Sequence, residues 1–281
     1  MPQSEEYMPV CLAAGGSDSG GEAGIQADLL AFRHFGVHGC CAISANTAQN
    51  PRAVVSVNPV SSRVFAAQIA AVTDHFPLGA VKSGMLASAA NIAALLRGIP
   101  AGVPLVVDPV LISTSGRALL APAGEARLPQ LFQRAALMTP NLPEAQFLLG
   151  RSLSTLAEQA QAAAELAARH GCAVLLKGGH ADGEAATDIL FAEGRTWLLR
   201  LPRLKNPPAT HGTGCRFAAA AAAIRAGQKD AEWLAACRGA KVYVHLCLAQ
   251  ARSSAAGWLI GTPEAGCPAP RVDIESFPPS V

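Results

Sequence analysis

Residues 10–35 read VCLAAGGSDSGGEAGIQADLLAFRHF, and this stretch decides the fold. Its pattern predicts an apolar strand over Val10–Ala14, a glycine-rich segment over Gly15–Gly21 and an amphipathic helix over Ala23–Phe35. Strands that pass through short turns into helices build α/β folds in which the sheet is mostly parallel. We therefore expect the rest of the chain to repeat this unit.

Alternating strands and helices do continue along the chain. Further strands are predicted over Gly39–Ala45, Ala80–Ser83, Pro104–Asp108, Ala135–Met138 and Ala173–Lys177. Further helices are predicted over Ser62–His75, Ala89–Arg97, Pro143–Leu149, Leu156–His170, Gly214–Ala226 and Ala231–Ala251. This order predicts an α/β protein with a doubly wound, mostly parallel sheet. Strands near Thr187–Ala192 and Thr196–Leu201 flank Glu193-Gly194, a hairpin signal that predicts an antiparallel edge.

The domain organisation is expected to be simple, because no fixed-period repeat and no long linker divides the sequence. A chain of 281 residues can form one large α/β domain. We expect a single domain over residues 1–281, with its core from about residue 10 to about residue 255. The tail after Gly261 is rich in proline and is expected to be irregular.

Composition excludes several classes of protein. The net charge is only +2, so the chain lacks the basic surface that nucleic-acid binding requires. The apolar stretch Phe217–Ile224 is far shorter than the roughly 20 residues that span a bilayer, and Met1–Tyr7 lacks the basic region of a signal peptide. The eight cysteines include no C-x-x-C pair, which argues against a zinc or redox site and for a reducing cytoplasm.

Ligands of open α/β sheets bind at the carboxyl ends of the strands, so the segments after the strands are candidate sites. In Gly15–Gly21 the glycines allow close approach to the backbone, and Asp18 or Asp28 would bind a polar group. Alternatively, Asp18 only caps the following helix. Gln49, in a predicted polar loop, has both a donor and an acceptor for the edge of a heterocyclic base, or is an ordinary loop residue.

Other predicted strand ends carry further candidates. Met85 would cover an apolar ligand face, or be buried in an ordinary turn. Asp108 would steer a metal or a lysine, or simply precede a turn. Lys177, followed by Gly178-Gly179, would reach a polyphosphate as a mobile charge, or lie at the surface.

Asn141 and Glu144 have the spacing of a capping box at the start of a helix. The same two side chains would alternatively hold a hydrated magnesium ion, which needs few protein ligands.

The late segment Thr210-His211-Gly212-Thr213-Gly214-Cys215 leads into an alanine-rich helix. Backbone N–H groups at a helix N-terminus bind anions without any charged side chain. The same partial positive charge lowers the pKa of a thiol, so Cys215 is predicted to be partly thiolate. The alternative is a glycine turn followed by a buried cysteine.

These segments, in this order, resemble the hydroxymethylpyrimidine kinase/phosphomethylpyrimidine kinase family of thiamine biosynthesis, within the ribokinase-like superfamily. The resemblance extends from about Val10 to about Gln250. It is carried by Gly16–Gly21 with Ala23–Asp28, Ala48–Asn50, Thr139–Glu144, Leu176–His180 and Thr210–Cys215. It implies a ribokinase-like three-layer α/β/α sandwich that uses ATP and Mg²⁺, acts in the cytoplasm and forms a homodimer.

The resemblance also implies roles for particular residues. The pyrimidine substrate would lie against Gly16, Asp28, Gln49, Met85 and Val110. The phosphates of ATP would be bound by Lys177, Lys241, Thr210 and Gly212. Magnesium and its waters would be ordered by Asn141 and Glu144. The amides of Gly212, Thr213, Gly214 and Cys215 would form an anion hole, and Cys215 would accept the proton of the substrate alcohol.

The sequence departs from the family pattern at three places. Arg216 stands where threonine or serine is usual, and it would bind phosphate or point to solvent. The extra proline in Lys205–Ala209 would stiffen a lid over ATP. Glu22 stands where glycine is usual. None of these departures removes a predicted catalytic group.

The sequence leaves rival functions open. One is a pyridoxal kinase of the same superfamily, whose substrate is also a six-membered ring with a hydroxymethyl group. The other is a non-catalytic pyrimidine-binding sensor. Gln49 and Met85 favour a pyrimidine, and the presence of Lys177, Glu144 and Cys215 argues against a sensor.

Overall fold

The computed structural model describes residues 7–111, 120–178, 183–205, 211–228, 230–255, 257–263 and 267–277. Its strands are β1 Val10–Asp18, β2 His38–Asn50, β3 Ala53–Pro59, β4 Ala80–Ser83, β5 Leu105–Val107, β6 Leu137–Met138, β7 Ala173–Leu176, β8 Ala185–Ala192, β9 Arg195–Pro202, β10 Arg252–Ser254, β11 Gly257–Leu259 and β12 Asp273–Phe277. Its helices are α1 Gly24–His34, α2 Ser62–Thr73, α3 Ala89–Gly98, α4 Pro122–Glu125, α5 Leu128–Arg134, α6 Leu142–Leu149, α7 Leu156–His170, α8 Thr213–Gly227 and α9 Trp233–Ala249.

Within these described ranges, ten strands form one sheet in the order β12-β9-β8-β7-β6-β5-β4-β1-β2-β3. The six adjacent central strands run parallel, in the order β2, β1, β4, β5, β6 and β7. β3 is antiparallel to β2, and β8, β9 and β12 extend the other side in antiparallel fashion. The predicted mostly parallel sheet with an antiparallel edge is confirmed. The β8–β9 hairpin turns at Glu193-Gly194, where both residues have positive φ.

Helices cover both faces of the sheet, which gives three layers. Alternate residues of β1 point to opposite faces, as in any strand. Leu12 joins a core that includes Phe65 of α2 and Leu166 of α7, whereas Ala13 joins a core that includes Phe32 of α1. Helix α8 belongs to this second core, and its residues Ala218–Ala223 are buried all round because small side chains allow close packing.

Polar residues fix the starts of two predicted helices. Asn141 and Glu144 form a complete capping box at α6, and Thr155 and Glu158 form another at α7. Gly171 ends α7 in the left-handed conformation that glycine adopts readily. The capping interpretation of Asn141 and Glu144 is therefore confirmed.

Pairing between distant segments makes the observed strands differ from the predicted ones. β1 continues through the glycine-rich segment to Asp18, and β2 continues to Asn50 where a loop is predicted, because these two segments pair with each other. Strand β3 also pairs with β2 as an antiparallel hairpin, which keeps the end of β2 extended up to Asn50. The prediction of an irregular tail is wrong for β12, which pairs with β9.

None of the helices in the described part of the chain is long and apolar enough to cross a membrane. All eight cysteines are free thiols.

Candidate functional site

The carboxyl ends of the parallel strands open into a cavity of about 1040 Å³. Each predicted site residue that the structure describes lines this cavity. They are Gly16, Asp18, Asp28, Gln49, Met85, Asp108, Val110, Asn141, Glu144, Lys177, Gly212, Thr213, Gly214, Cys215 and Lys241. Thr210, His180 and the proline-containing stretch 206–209 lie outside the described residues. Segments far apart in the sequence therefore meet at one cavity, while the role of each residue stays a prediction.

The N-terminus of α8 lies at this cavity. Gly212 is its N-cap residue, with φ +81°, a conformation that favours glycine. A Cβ at this position would collide with the carbonyl oxygen of Glu22. The first amides of a helix have no intrahelical acceptor, and this end of a helix carries partial positive charge. The turn is therefore a candidate anion site.

Lys177 and Asp108 face the same turn. Lys177 Nζ donates to Asp108 Oδ1 at 2.7 Å, and Thr139 Oγ1 donates to the same oxygen at 3.2 Å. A Cβ on Gly214 would lie 3.1 Å from Lys177 Nζ and 3.6 Å from Asp108 Oδ2. Burial alone would lower the pKa of Lys177, but Asp108 and Glu144 outweigh it and raise that pKa. A charged ammonium therefore lies against the helix N-terminus.

Two of the residues predicted to hold magnesium, Asn141 and Glu144, already bond each other's amides in the capping box of α6. Asn141 Oδ1 accepts from the Glu144 amide and Glu144 Oε2 accepts from the Asn141 amide, both at 2.8 Å. Burial raises the pKa of Glu144 to about 7, against the nearby charge of Lys177. No group of three His, Cys, Asp or Glu side chains suited to a metal occurs among the described residues. The side chains fit an ion held mainly by phosphate and water, as Mg²⁺ commonly is.

Asp28 is paired with Lys82, which the sequence analysis missed. Lys82 Nζ donates to both carboxylate oxygens, at 2.7 and 2.9 Å, and the side chains are 1% and 0% exposed. Burial would lower the pKa of Lys82, but the Asp28 carboxylate and the neighbouring Cys215 and Asp108 together outweigh it and raise that pKa. The available signal was a lysine inside the apolar strand Ala80–Ser83, since lysine is rarely buried without a partner.

Lys241 lies at the cavity, but its ammonium is already paired. It donates to Asp188 Oδ2 at 2.7 Å, and Asp188 Oδ1 accepts from the Gly178 amide at 2.9 Å. Asp188 therefore connects α9 to the turn that follows β7. This residue was also missed, although a buried aspartate in an apolar strand such as β8 is a sequence signal.

Asp18 organises the turn that leads into α1. Its carboxylate accepts three backbone N–H groups of that turn at 2.8–3.1 Å. Asp18 does not cap α1 itself, because the N-cap residue is Ala23 and no side chain bonds the first amides of the helix. His211 Nε2 lies 3.7 Å from Asp18 Oδ2 and 3.0 Å from Gln49 Nε2. His211 therefore links the late turn to the pair of strands that carries Asp18 and Gln49.

An apolar wall faces these polar groups across the cavity. Met85 packs with Val110 and Ala45 and is 8% exposed. A Cβ on Gly16 would lie 3.2 Å from the Met85 sulfur, so glycine at this position leaves room for the methionine. A flat apolar ring would find a partner surface here.

The Cys215 thiol lies in the first turn of α8. Burial is the largest influence on its pKa and raises it, while the charge of Lys82 offsets this only in part. The prediction of a partly ionised thiol is wrong for this structure, because desolvation outweighs the favourable helix end.

Arg216 does not point to solvent as the sequence allowed. Its side chain is 1% exposed, and Nη1 donates to the carbonyl oxygen of Glu22 at 2.6 Å. It is not among the residues that line the cavity. Two of the three departures from the family pattern, Glu22 and Arg216, therefore contact each other.

The fold and the site together define a class of protein. A mostly parallel sheet between two helical layers, with buried lysines facing a helix N-terminus, is the architecture of the ribokinase-like small-molecule kinases. A family model described as phosphomethylpyrimidine kinase matches residues 18–260. The chain belongs to this phosphomethylpyrimidine kinase family. A hydroxymethylpyrimidine/phosphomethylpyrimidine kinase of Rhizobium meliloti (strain 1021) is 43% identical over 246 residues, which cover 86% of this chain and 91% of that relative.

Solved structures agree with the family assignment. Phosphomethylpyrimidine kinase from Clostridium difficile 630 superposes with a TM-score of 0.72 at 34% identity, over 84% of this chain and 98% of that one. Pyridoxal kinase from Staphylococcus aureus, in complex with AMP-PCP and pyridoxal, gives a TM-score of 0.84 at 26% identity, over 96% and 100% of the two chains. The ribokinase-like fold is thereby confirmed.

Proposed function

We propose that this chain transfers the γ-phosphoryl group of ATP to 4-amino-5-hydroxymethyl-2-methylpyrimidine, and then a second one to the resulting monophosphate, in thiamine biosynthesis. The observation that carries this proposal is one cavity at which a helix N-terminus and a lysine–aspartate pair meet an apolar wall. Family membership supports the choice of substrate.

The donor end of the cavity is the turn Gly212–Cys215 with Lys177. In phosphoryl transfer, negative charge spreads over the equatorial oxygens of the γ-phosphoryl group in a loose transition state. Amides and an ammonium fixed beforehand stabilise that charge without reorganising. Lys241 and Thr210 complete this end in our proposal, Lys241 through its contact with Asp188.

The acceptor end is the wall formed by Met85 and Val110. The pyrimidine ring lies against these side chains, next to Gly16, and its polar edge meets the amide of Gln49. Asp28 forms the floor together with Lys82. Burial raises the pKa of Asp28 to about 6, and the charge of Lys82 offsets this only in part. Asp18 holds the turn above.

In the first reaction the alcohol oxygen forms a bond to the γ-phosphorus, and the bond from that phosphorus to the ADP oxygen breaks. The alcohol proton moves to Cys215 Sγ in its thiolate form. Because burial raises the pKa of this thiol, the thiolate is a minor form at neutral pH. In the second reaction the acceptor is a phosphate group, which needs no strong base.

Magnesium fits this site, with Asn141, Glu144 and Asp108 as the residues that would hold the ion and its waters. When bound, Mg²⁺ supplies positive charge that neutralises the phosphates of ATP. Asp108 Oδ2 is the oxygen of this set that faces Gly214.

We further propose that the chain works as a single domain in the cytoplasm, as a homodimer, and without nucleic-acid or membrane partners. Free thiols support a reducing compartment. Strand β3 at the end of the sheet supports a dimer, since edge strands offer a surface for pairing.

Pyridoxal kinase activity is the second candidate, favoured by the likeness to the S. aureus enzyme. Purified protein with ATP and Mg²⁺ should be given hydroxymethylpyrimidine, its monophosphate or pyridoxal, and ADP release and product mass should be measured. We expect turnover of both pyrimidines, with kcat/KM at least about tenfold above that for pyridoxal, which is about 1.4 kcal/mol. A preference for pyridoxal would show that pyridoxal, not the pyrimidine, is the substrate. If none of the three compounds is phosphorylated, the chain would instead be a non-catalytic pyrimidine-binding sensor.

A further inference from the structure

Arg216 is the largest fully buried side chain in the described part of the protein. It directly follows Cys215, in the first turn of α8. A buried cation is costly unless it is well bonded, and a cation at a helix N-terminus also opposes the helix dipole. Packing alone does not account for an arginine here, because an apolar residue would fill the same volume without these costs.

The guanidinium bonds to the turn before α1, which packs against Gly212. Nη1 donates to the Glu22 carbonyl oxygen at 2.6 Å, the same oxygen that leaves no room for a Cβ on Gly212. The Arg216 amide donates to the Gly212 carbonyl oxygen at 3.0 Å, which starts the helix. Arg216 therefore holds this turn from both its backbone and its side chain.

Glu22 is fixed from further directions. Its amide donates to Asp18 Oδ2 at 3.1 Å, and its own carboxylate accepts from the Ile260 amide at 3.0 Å. The Gly261 amide in turn donates to the Cys247 carbonyl oxygen at 3.1 Å. The Glu22 carbonyl is thus a rigid point, and Arg216 connects it to the start of α8.

Arg216 Nε has no hydrogen-bond partner among the described residues. Tyr243 and Cys247 of α9 lie beside the side chain and do not neutralise its charge. The positive charge therefore remains behind the anion site, where the low dielectric of the interior extends its effect to a bound phosphate.

We propose that Arg216 is a positioning residue of the phosphoryl-transfer site. By bonding the Glu22 carbonyl, it keeps the amides from Gly212 to Cys215 and the Cys215 thiol aligned with the γ-phosphoryl group, without touching the substrate. This inference rests on the proposed function.

The test compares Arg216→Met and Arg216→Lys with Arg225→Met, a matched control on the same helix away from the cavity. Arg216→Met keeps the length of the side chain but removes the donors and the charge. We expect kcat to fall about tenfold to a hundredfold, the scale of a small misplacement in a catalytic site. The KM for hydroxymethylpyrimidine should stay within about twofold, because Gln49, Met85 and Val110 are untouched.

Arg216→Lys keeps the charge but not the planar donor group, so its kcat should lie between those of the wild type and Arg216→Met. Arg225→Met should match the wild type. AMP-PCP affinity by calorimetry is the readout that is independent of turnover, and Arg216→Met should weaken it about tenfold, or about 1.4 kcal/mol.

The outcomes separate the two proposals. A wild type that binds AMP-PCP without phosphorylating any pyrimidine sinks the proposed function, while the affinity series still tests Arg216. Wild-type kcat and AMP-PCP affinity in Arg216→Met, with only a lower melting temperature, would show that Arg216 merely fills the core. If Arg216→Met does not fold, Arg216→Lys decides: a loss in kcat and affinity beyond that of Arg225→Met supports the role, and wild-type values overturn it.

Discussion

The pairs Lys82–Asp28 and Lys177–Asp108 have the same chemistry at the same edge of the sheet, but their burial differs. In the first pair the ammonium bonds both carboxylate oxygens, and the side chains are 1% and 0% exposed. In the second pair it bonds only Oδ1, Lys177 is 17% exposed and Asp108 Oδ2 faces Gly214.

This difference in burial and bonding suits the two pairs to different roles. A pair whose oxygens and ammonium are satisfied by each other can shape a cavity wall, but it has little left for a ligand. A pair with a spare oxygen and an accessible ammonium can bind phosphate and a hydrated cation. We therefore propose that Lys82–Asp28 shapes the floor of the cavity and that Lys177–Asp108 takes part in phosphoryl transfer.

The largest expected effect on stability comes from Lys82→Met. Removing one partner of a fully buried pair leaves an uncompensated charge, which costs about 3–5 kcal/mol in the free energy of unfolding. Urea unfolding monitored by circular dichroism measures it. The double variant Lys82→Met/Asp28→Leu should recover most of that loss, since apolar side chains replace buried pairs well. If Lys82→Met were as stable as the wild type, the Lys82–Asp28 pair would not be shielded from solvent.

Lys177→Met should act on catalysis instead. We expect kcat to fall about 10²–10³-fold, the range for losing one fixed donor to a transition-state anion. Its unfolding free energy should fall less than that of Lys82→Met, because solvent reaches this pair. Steady-state kinetics and urea unfolding of both variants test the division directly. It fails if Lys177→Met loses stability and keeps its kcat.

Asp18 extends the comparison to a carboxylate that is held mainly by amides, and here the smallest effect is expected. Burial would raise the pKa of Asp18, but the neighbouring His211 side chain and the hydrogen bonds from the Ala23 and Gly20 amides outweigh it and lower that pKa. A lowered pKa adds stability above the ordinary aspartate value of about 3.9, and that stability disappears as the pH falls through the folded-state pKa.

The stability difference between the wild type and Asp18→Asn should therefore be largest near neutral pH and should narrow below about pH 4. Urea midpoints from pH 3 to pH 7 measure it. A difference that stays constant over this range would mean that the Asp18 carboxylate is not stabilised by its neighbours.

Local patterns predicted the alternating elements well. The apolar runs of β4 and β7 and the capping residues of α6 and α7 act within a few residues of themselves, so their signals are visible in the sequence. Site residues such as Gly16, Asp108 and Lys177 were placed by their position after strands, which the topology brings to one edge. Val110 and Lys241 were named only because of the family resemblance.

Features that depend on distant partners were not predictable in this way. The polar run ending at Asn50 became strand because it pairs with β1 and β3, and β12 formed because β9 offered an edge. The roles of Lys82 and Asp188 were not predicted, because each depends on an ion pair with a partner that is 54 or 53 residues away. The Cys215 pKa was misjudged because burial cannot be read from a helix start.

The role of Cys215 as proton acceptor is the central claim, and one measurement tests it most directly. The kcat of Cys215→Ala should be compared with that of the wild type on both hydroxymethylpyrimidine and its monophosphate. We expect the reaction of the alcohol to lose about 10²–10⁴-fold, as for loss of a general base, and that of the monophosphate to lose far less.

For the wild type, kcat with the alcohol should also rise with pH, because burial raises the pKa of the thiol that must ionise, while kcat with the monophosphate should not follow it. AMP-PCP affinity should be unchanged in Cys215→Ala. Unchanged turnover of the alcohol, or equal losses for both acceptors, would contradict the account.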